Sequence, residues 1–292
     1  MNDVTGEPAA SGIDSLIEHT LRDIGIPPCP AILSRIVTEI RKDEPDFHLL
    51  TGIISADVGL AAGLIKTANS PYFGRQQRAR TVHEALSILG LNVASQAIAG
   101  LIMRNVFPPT PTMNRFWDGS ARIARLSGWL SQRLDIRGLA PEDAHTFGLF
   151  RDCGIPVLFN RYPDYVEILA TANREPQRNF TEIESASLPT NHAVVGDSMA
   201  RSWWLPEQIS LAIRHHHDLD MLHDDSGPLT LTSRRLIATA QFAEHILQRQ
   251  LGLSLTHEWD KLGGTCVALL QVDEDDLEFL YQDAAPVAAA ES

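Results

Sequence analysis

The sequence predicts an all-helical protein built from two lobes. Three observations carry this prediction. Apolar residues recur at helical spacing along most of the 292 residues. No run alternates apolar and polar residues as a half-buried strand would. Proline, glycine and small polar residues fall at the ends of the periodic segments.

The chain opens with residues 1–12, small and polar, which predict a disordered start. An N-terminal lobe is expected over 13–107. Pro27, Pro28 and Pro30 separate two helices, and Ile32, Leu33, Ile36, Val37 and Ile40 form the stripe of the second. Ser55 or Asp57 is placed to cap a helix carrying Val58, Ala61, Leu64, Ile65 and Ala68, and Asn69-Ser70-Pro71 ends it. Thr81 is placed to cap a short helix that stops at Gly90, and Asn92 to cap the next, with Ala94, Ile98 and Leu101 on its buried face. Pro108-Pro109-Thr110-Pro111 cannot continue a helix, so residues 108–114 are expected to link the lobes. The second lobe is expected over 115–283. Within it Thr181 and Glu184 have capping-box spacing, and Pro206 suits a first helical turn. Trp117, Trp203 and Trp204 lie on apolar stripes and are read as core. The alanine-rich residues 284–292 are expected to be a disordered tail.

Composition narrows the function. The formal charge of −13 opposes a phosphate backbone, so nucleic-acid binding is not expected. A local exception is the loop carrying Arg75, Arg78 and Arg80, a candidate partner-binding loop. No run approaching the ~20 apolar residues of a membrane span is read in the chain, and its first residues lack a signal-peptide pattern, so a cytoplasmic protein is expected. Cys29, Cys153 and Cys266 are too scattered for a disulfide framework or a zinc ribbon. Cys153 neighbours Asp152, which disfavours a nucleophilic thiolate.

The residues able to carry chemistry concentrate in the second lobe: Asp152, His192, and the run His215-His216-His217 followed by Asp218. Imidazoles and carboxylates from several helices can share a metal ion. Neighbours on a helix point about 100° apart, so no more than two of the three consecutive histidines can face one ion.

Several motifs in order resemble one family. Ile26-Pro27-Pro28-Cys29-Pro30, Ile54-Ser55-Ala56-Asp57-Val58-Gly59, Leu64 through Gly74, and Val82-His83-Glu84-Ala85-Leu86 are similar to segments of the HDOD domain, a regulatory relative of the HD phosphohydrolases. That resemblance implies a helical module working in bacterial two-component or cyclic-dinucleotide signalling. Its implied partners are signalling proteins such as response regulators or cyclic-dinucleotide enzymes. It also implies a degenerate HD-like pocket made of Gly119, Arg151, Asp152, His192, His216, His217 and Gln241, in which Gly119, Arg151 and Gln241 stand where HD enzymes carry ligands. Glycine has no donor atom, glutamine only a neutral oxygen, and Arg151 a fixed positive charge. The expectation is therefore no catalytic residue, no bound metal and no cofactor. Two alternatives stay open: a residual metal-dependent phosphohydrolase, and an anion or nucleotide sensor using Arg151.

Overall fold

The computed structural model describes residues 24–70, 78–224 and 226–290, and among them every regular element is a helix. The N-terminal lobe holds α1 (Ala31–Ile40), α2 (Phe47–Ser55), α3 (Val58–Ala68) and α4 (Val82–Val106). Capping chemistry sets these boundaries. Asp46 accepts from the amides of His48 and Leu49, Asp57 from Leu60, and Thr81 from Glu84, each satisfying a donor that the first helical turn leaves free. The Asn69 side chain clamps the backbone of Ala79 at both its N–H and its carbonyl, 2.8 Å each. Gly90, at φ +72°, breaks α4 in two as its sequence context predicts. Residues 82–106 are long and apolar enough to pass for a membrane span, and 44% of the most apolar window is buried inside the fold. The break at Gly90 makes this segment two shorter helices rather than one continuous rod.

The second lobe begins earlier than expected. Thr110 caps α5 (Pro111–Arg133) and Pro111 occupies its first turn, where a missing N–H costs nothing. The break between lobes is thus shorter than 108–114. α6 (Pro141–Phe150) pairs with α5. It is followed by α7 (Gly154–Arg161), α8 (Tyr165–Arg174), α9 (Phe180–Ser187), α10 (His192–Ser202), α11 (Glu207–His215) and α12 (Leu219–His223). α13 (Leu231–Leu251), α14 (Glu258–Leu270) and α15 (Glu274–Ala289) complete the order. The expected disordered tail is also corrected. α15 runs to Ala289, Ala284 and Ala288 are fully buried, and Arg122 and Arg125 donate to the carbonyls of Ala288 and Ala290 at 2.8 and 2.6 Å. Small alanines, unremarkable in sequence, let α15 lie close against α5. Residues 1–12 lie outside the described residues.

One apolar core runs through both lobes, from Leu33, Ile54, Leu64 and Leu86 to Phe147, Trp203, Leu236 and Phe242. At roughly 1.5–3 kcal/mol per fully buried large side chain, this packing is the main driving force for the fold. α4 joins the lobes: Thr146 donates to Gln96 at 2.7 Å, and Gln96 in turn reaches Asp143. Trp117 and Trp203 are core, as predicted. Trp204 is not. It sits at φ +65°, 47% exposed, with the Arg41 guanidinium 4.3 Å from its ring centroid.

Candidate functional site

Three turns bring the chemistry together. After α6 the chain turns sharply through Arg151, Asp152 and Cys153 before α7 starts at Gly154. Gly154 lies so close to α10 that an added Cβ would stand 2.0 Å from the His192 carbonyl oxygen. No other residue permits that approach. His192 is the first residue of α10, placed by Asn191, which accepts from the amide of Val194. His216 is the C-terminal cap of α11, and His217 follows it in the turn before Asp218 caps α12. Because His217 lies beyond the helix, the 100° rule no longer separates it from His216. Their ring centroids are 4.0 Å apart.

The resulting centre holds Asp152, His192, His216 and His217, with one ligand-type atom of each lying within 4.8 Å of the others. His192 Nε2 is 3.3 Å from His216 Nε2. Asp152 Oδ1 lies 3.2 Å from His216 Nε2 and 3.6 Å from His192 Nε2. The opposite ring nitrogens are all tied to acceptors. His192 Nδ1 donates to Glu184 at 2.7 Å, His216 Nδ1 to the carbonyl of Ile213 at 2.7 Å, and His217 Nδ1 to Glu258 at 2.5 Å. Carbonyl and carboxylate oxygens only accept, so each neutral ring carries its hydrogen on Nδ1 and keeps a lone pair on Nε2. Phe180 stacks on His217 and meets His192 edge-on, which fixes both ring planes.

Carboxylates surround this centre. Glu184 also accepts from the Tyr165 hydroxyl, and Lys261 pairs with Glu258. Arg151, buried, lies 2.6 Å from Glu244 and 3.1 Å from Asp152 Oδ2. Burial opposes the charge of Arg151, but Asp152 and Glu244 outweigh it and hold the guanidinium firmly protonated. Burial likewise pushes the Asp152 carboxyl up. Arg151, His216 and His192 outweigh that push, and the group stays well below the usual carboxylate range. For His192, burial favours the neutral ring, but Glu184 and Asp152 carry the balance upward. Burial, with His216 and His192 beside it, holds His217 well below the ordinary histidine value. Burial and the adjacent Asp152 push the Cys153 thiol up, so this cysteine is an inert core group.

The expected site residues divide into two groups. Asp152, His192, His216 and His217 converge, with Arg151 at the edge of their cluster. Gln241 is buried on α13, one turn before Glu244, and its amide nitrogen has no acceptor. Gly119 lies half-buried on α5, where an added Cβ would meet nothing within 4 Å. His215, half-buried, stays apart, its Nδ1 3.8 Å from Asp218. Arg78 and Arg80 are exposed between α3 and α4, while Arg75 lies outside the described residues. Sequence reasoning missed Glu184, Glu244 and Glu258. Thr181 and Glu184 do not form a capping box: α9 starts at Phe180 after Asn179, and Glu184 turns inward to His192. An acid on the buried face of an apolar helix was the available signal. Glu258, 41 residues beyond His217, had none.

Solved structures share this architecture. An HDOD domain protein of unknown function from Geobacter sulfurreducens matches at TM-score 0.66 and 19% identity, over 97% of this chain and 98% of that one. A proposed phosphohydrolase from Shewanella amazonensis SB2B matches at TM-score 0.67 and 16% identity, over 93% and 95%. A proposed signal transduction protein from Marinobacter aquaeolei VT8 matches at 0.62 and 18%, over 96% of this chain and 64% of that one. At these identities the likeness concerns the fold. An uncharacterized protein of Treponema pallidum (strain Nichols) is 26% identical over 227 residues, 75% of this chain but only 43% of the relative's length. The HDOD domain pattern matches residues 26–219, about two thirds of the sequence and all four converging residues, so this chain belongs to the HDOD domain family.

Proposed function

We propose that this protein is a non-catalytic signalling module that acts as a regulatory or adaptor protein in the bacterial cytoplasm, in two-component or cyclic-dinucleotide pathways. The observation that carries this reading is Arg151. By the family resemblance it stands where the related hydrolases carry a metal-binding histidine, and its charge is held between Asp152 and Glu244. A hydrolase of that class needs an open coordination position at which bound water becomes a nucleophile. The buried guanidinium takes one oxygen of Asp152 and adds a fixed positive charge beside the place where a nucleophilic water would have to be activated.

The contact surface on this reading is the cleft between the lobes, about 900 Å³, lined in part by Arg41, Gly90, Gln96, Asp143, Trp204 and Gln208. Tryptophan and arginine are among the residues most enriched at the hot spots of protein interfaces. Affinity capture from the source bacterium, quantified against Trp204→Ala, tests this. Recovery of response regulators or cyclic-dinucleotide enzymes by the wild type, reduced by the variant, is expected. Recovery of unrelated housekeeping proteins alone would overturn the reading.

A second reading, a residual metal-dependent phosphohydrolase, draws on the convergence of four donor side chains. Anion sensing loses support, because an anion approaching Arg151 would meet the two carboxylates already paired with it.

A further inference from the structure

The Nε2 lone pairs of His192 and His216 and the Oδ1 of Asp152 form a triangle with sides of 3.2, 3.3 and 3.6 Å. With every Nδ1 hydrogen committed outward, all three corners are acceptors whenever the rings are neutral, the state in which imidazoles bind a metal. Acceptors at such distances repel unless a cation lies among them. A zinc-class ion with ligands at about 2.0–2.1 Å in tetrahedral array sets ligand atoms about 3.3 Å apart, which is the size of this triangle. We propose that Asp152, His192, His216 and His217 bind one divalent transition-metal ion of the zinc class, with His217 closing in as the fourth ligand.

Three further features support a metal ion over a single proton. The donor set of three imidazoles and one carboxylate suits zinc-class ions and not magnesium, which prefers oxygen. Each histidine is oriented from behind by Glu184, Glu258 or the Ile213 carbonyl, the arrangement that fixes tautomer and ring direction in metal sites. Asp152 divides its oxygens, Oδ2 to Arg151 and Oδ1 to the histidine triangle, so the arginine orients the carboxylate without blocking it. Formal charge agrees. Asp152, Glu184, Glu244 and Glu258 contribute four negative charges against two positive ones from Arg151 and Lys261, with neutral histidines, and a divalent ion cancels the difference. The ion would pin the 151–153 turn to α10 and to the end of α11. The inference does not depend on the adaptor reading, since it concerns binding and not turnover.

The test uses the full chain, stripped with chelator and titrated with zinc chloride, with cobalt chloride as a spectroscopic probe and magnesium chloride as control. Expected are one zinc per chain by elemental analysis, a higher melting temperature with zinc but not magnesium, and the intense visible bands of tetrahedral cobalt. Asp152→Asn, close to isosteric, and His217→Asn should each weaken zinc binding at least tenfold, with circular dichroism confirming a folded chain. His215→Ala should bind as the wild type does. Absence of stoichiometric zinc in the folded wild type would overturn the proposal. So would binding that survives Asp152→Asn and His217→Asn but is lost in His215→Ala, which would mark an adventitious site on the histidine run. Turnover is read separately, so failure of this proposal and failure of the adaptor reading are distinguishable.

Discussion

The two lobes are both helical but treat charge differently. Among the described residues before Pro108, the buried charged side chain is Glu39. It sits at the end of α1, held by Lys42 at 2.6 Å and by the amide of Asp46. The second lobe buries Arg151, Glu184, Asp197, Arg234, Glu244 and Glu258 together with three histidines. Burying an ion costs several kcal/mol unless it is paired and hydrogen-bonded, and an apolar replacement is often equal or better for stability. The N-terminal lobe is therefore held mainly by apolar packing and helix caps. The second lobe accepts a cost that packing does not require, and that cost is concentrated around one centre.

The sharpest way to break this contrast is Arg151→Ala. It leaves Asp152 and Glu244 facing each other without their shared cation, in positions only 18% and 4% exposed. Removing one partner of a buried pair costs about 3–5 kcal/mol, and chemical denaturation is expected to show a loss of that size. A loss below about 1 kcal/mol would mean that the pair carries little of the lobe's stability.

Leu64→Ala probes the other lobe. Leu64 is fully buried in α3, and truncating such a leucine costs about 2–5 kcal/mol through lost transfer energy and a cavity. Denaturation should show this loss with equal size at pH 5 and pH 8, while zinc stoichiometry stays unchanged. A pH-dependent penalty would blur the distinction between a packed lobe and a charged one.

The smallest expected effect concerns His145 on α6. Burial, then the neighbouring Arg125, pull its pKa from 6.5 down to about 4. Between those values the unfolded chain binds a proton that the folded chain refuses, so the contribution of His145 is complete above pH 6.5 and is lost as the pH falls towards 4. His145→Gln should flatten the loss of stability over that interval in acid denaturation followed by circular dichroism. An unchanged acid limb would remove His145 from the account.

Much of the N-terminal lobe is legible in the sequence because its rules are local. Asp57 and Thr81 cap where capping chemistry places them, and Gly90 breaks a helix where only glycine tolerates the backbone. The second lobe is legible as helices but less so as a site. Asp152, His192, His216 and His217 could be named from motif order, but their convergence depends on the close approach at Gly154 and on the turn after His215. Arg151 reads in isolation as a charge able to attract an anion. Only the fold brings Glu244, 93 positions later, to neutralise it. Trp204 misleads for the opposite reason: a left-handed backbone at the end of a helix turns an apparently buried position outward.

The proposed adaptor reading requires that the histidine centre, with Arg151 and its carboxylates beside it, have no hydrolytic function. The most direct measurement is turnover of an activated phosphodiester, bis(p-nitrophenyl) phosphate, by the chain loaded in turn with zinc, manganese and iron(II). The rate is predicted to equal that of buffer containing the same metal and to be unaffected by Asp152→Asn. Metal-dependent hydrolysis above that background, abolished by Asp152→Asn in a folded chain, would contradict the account.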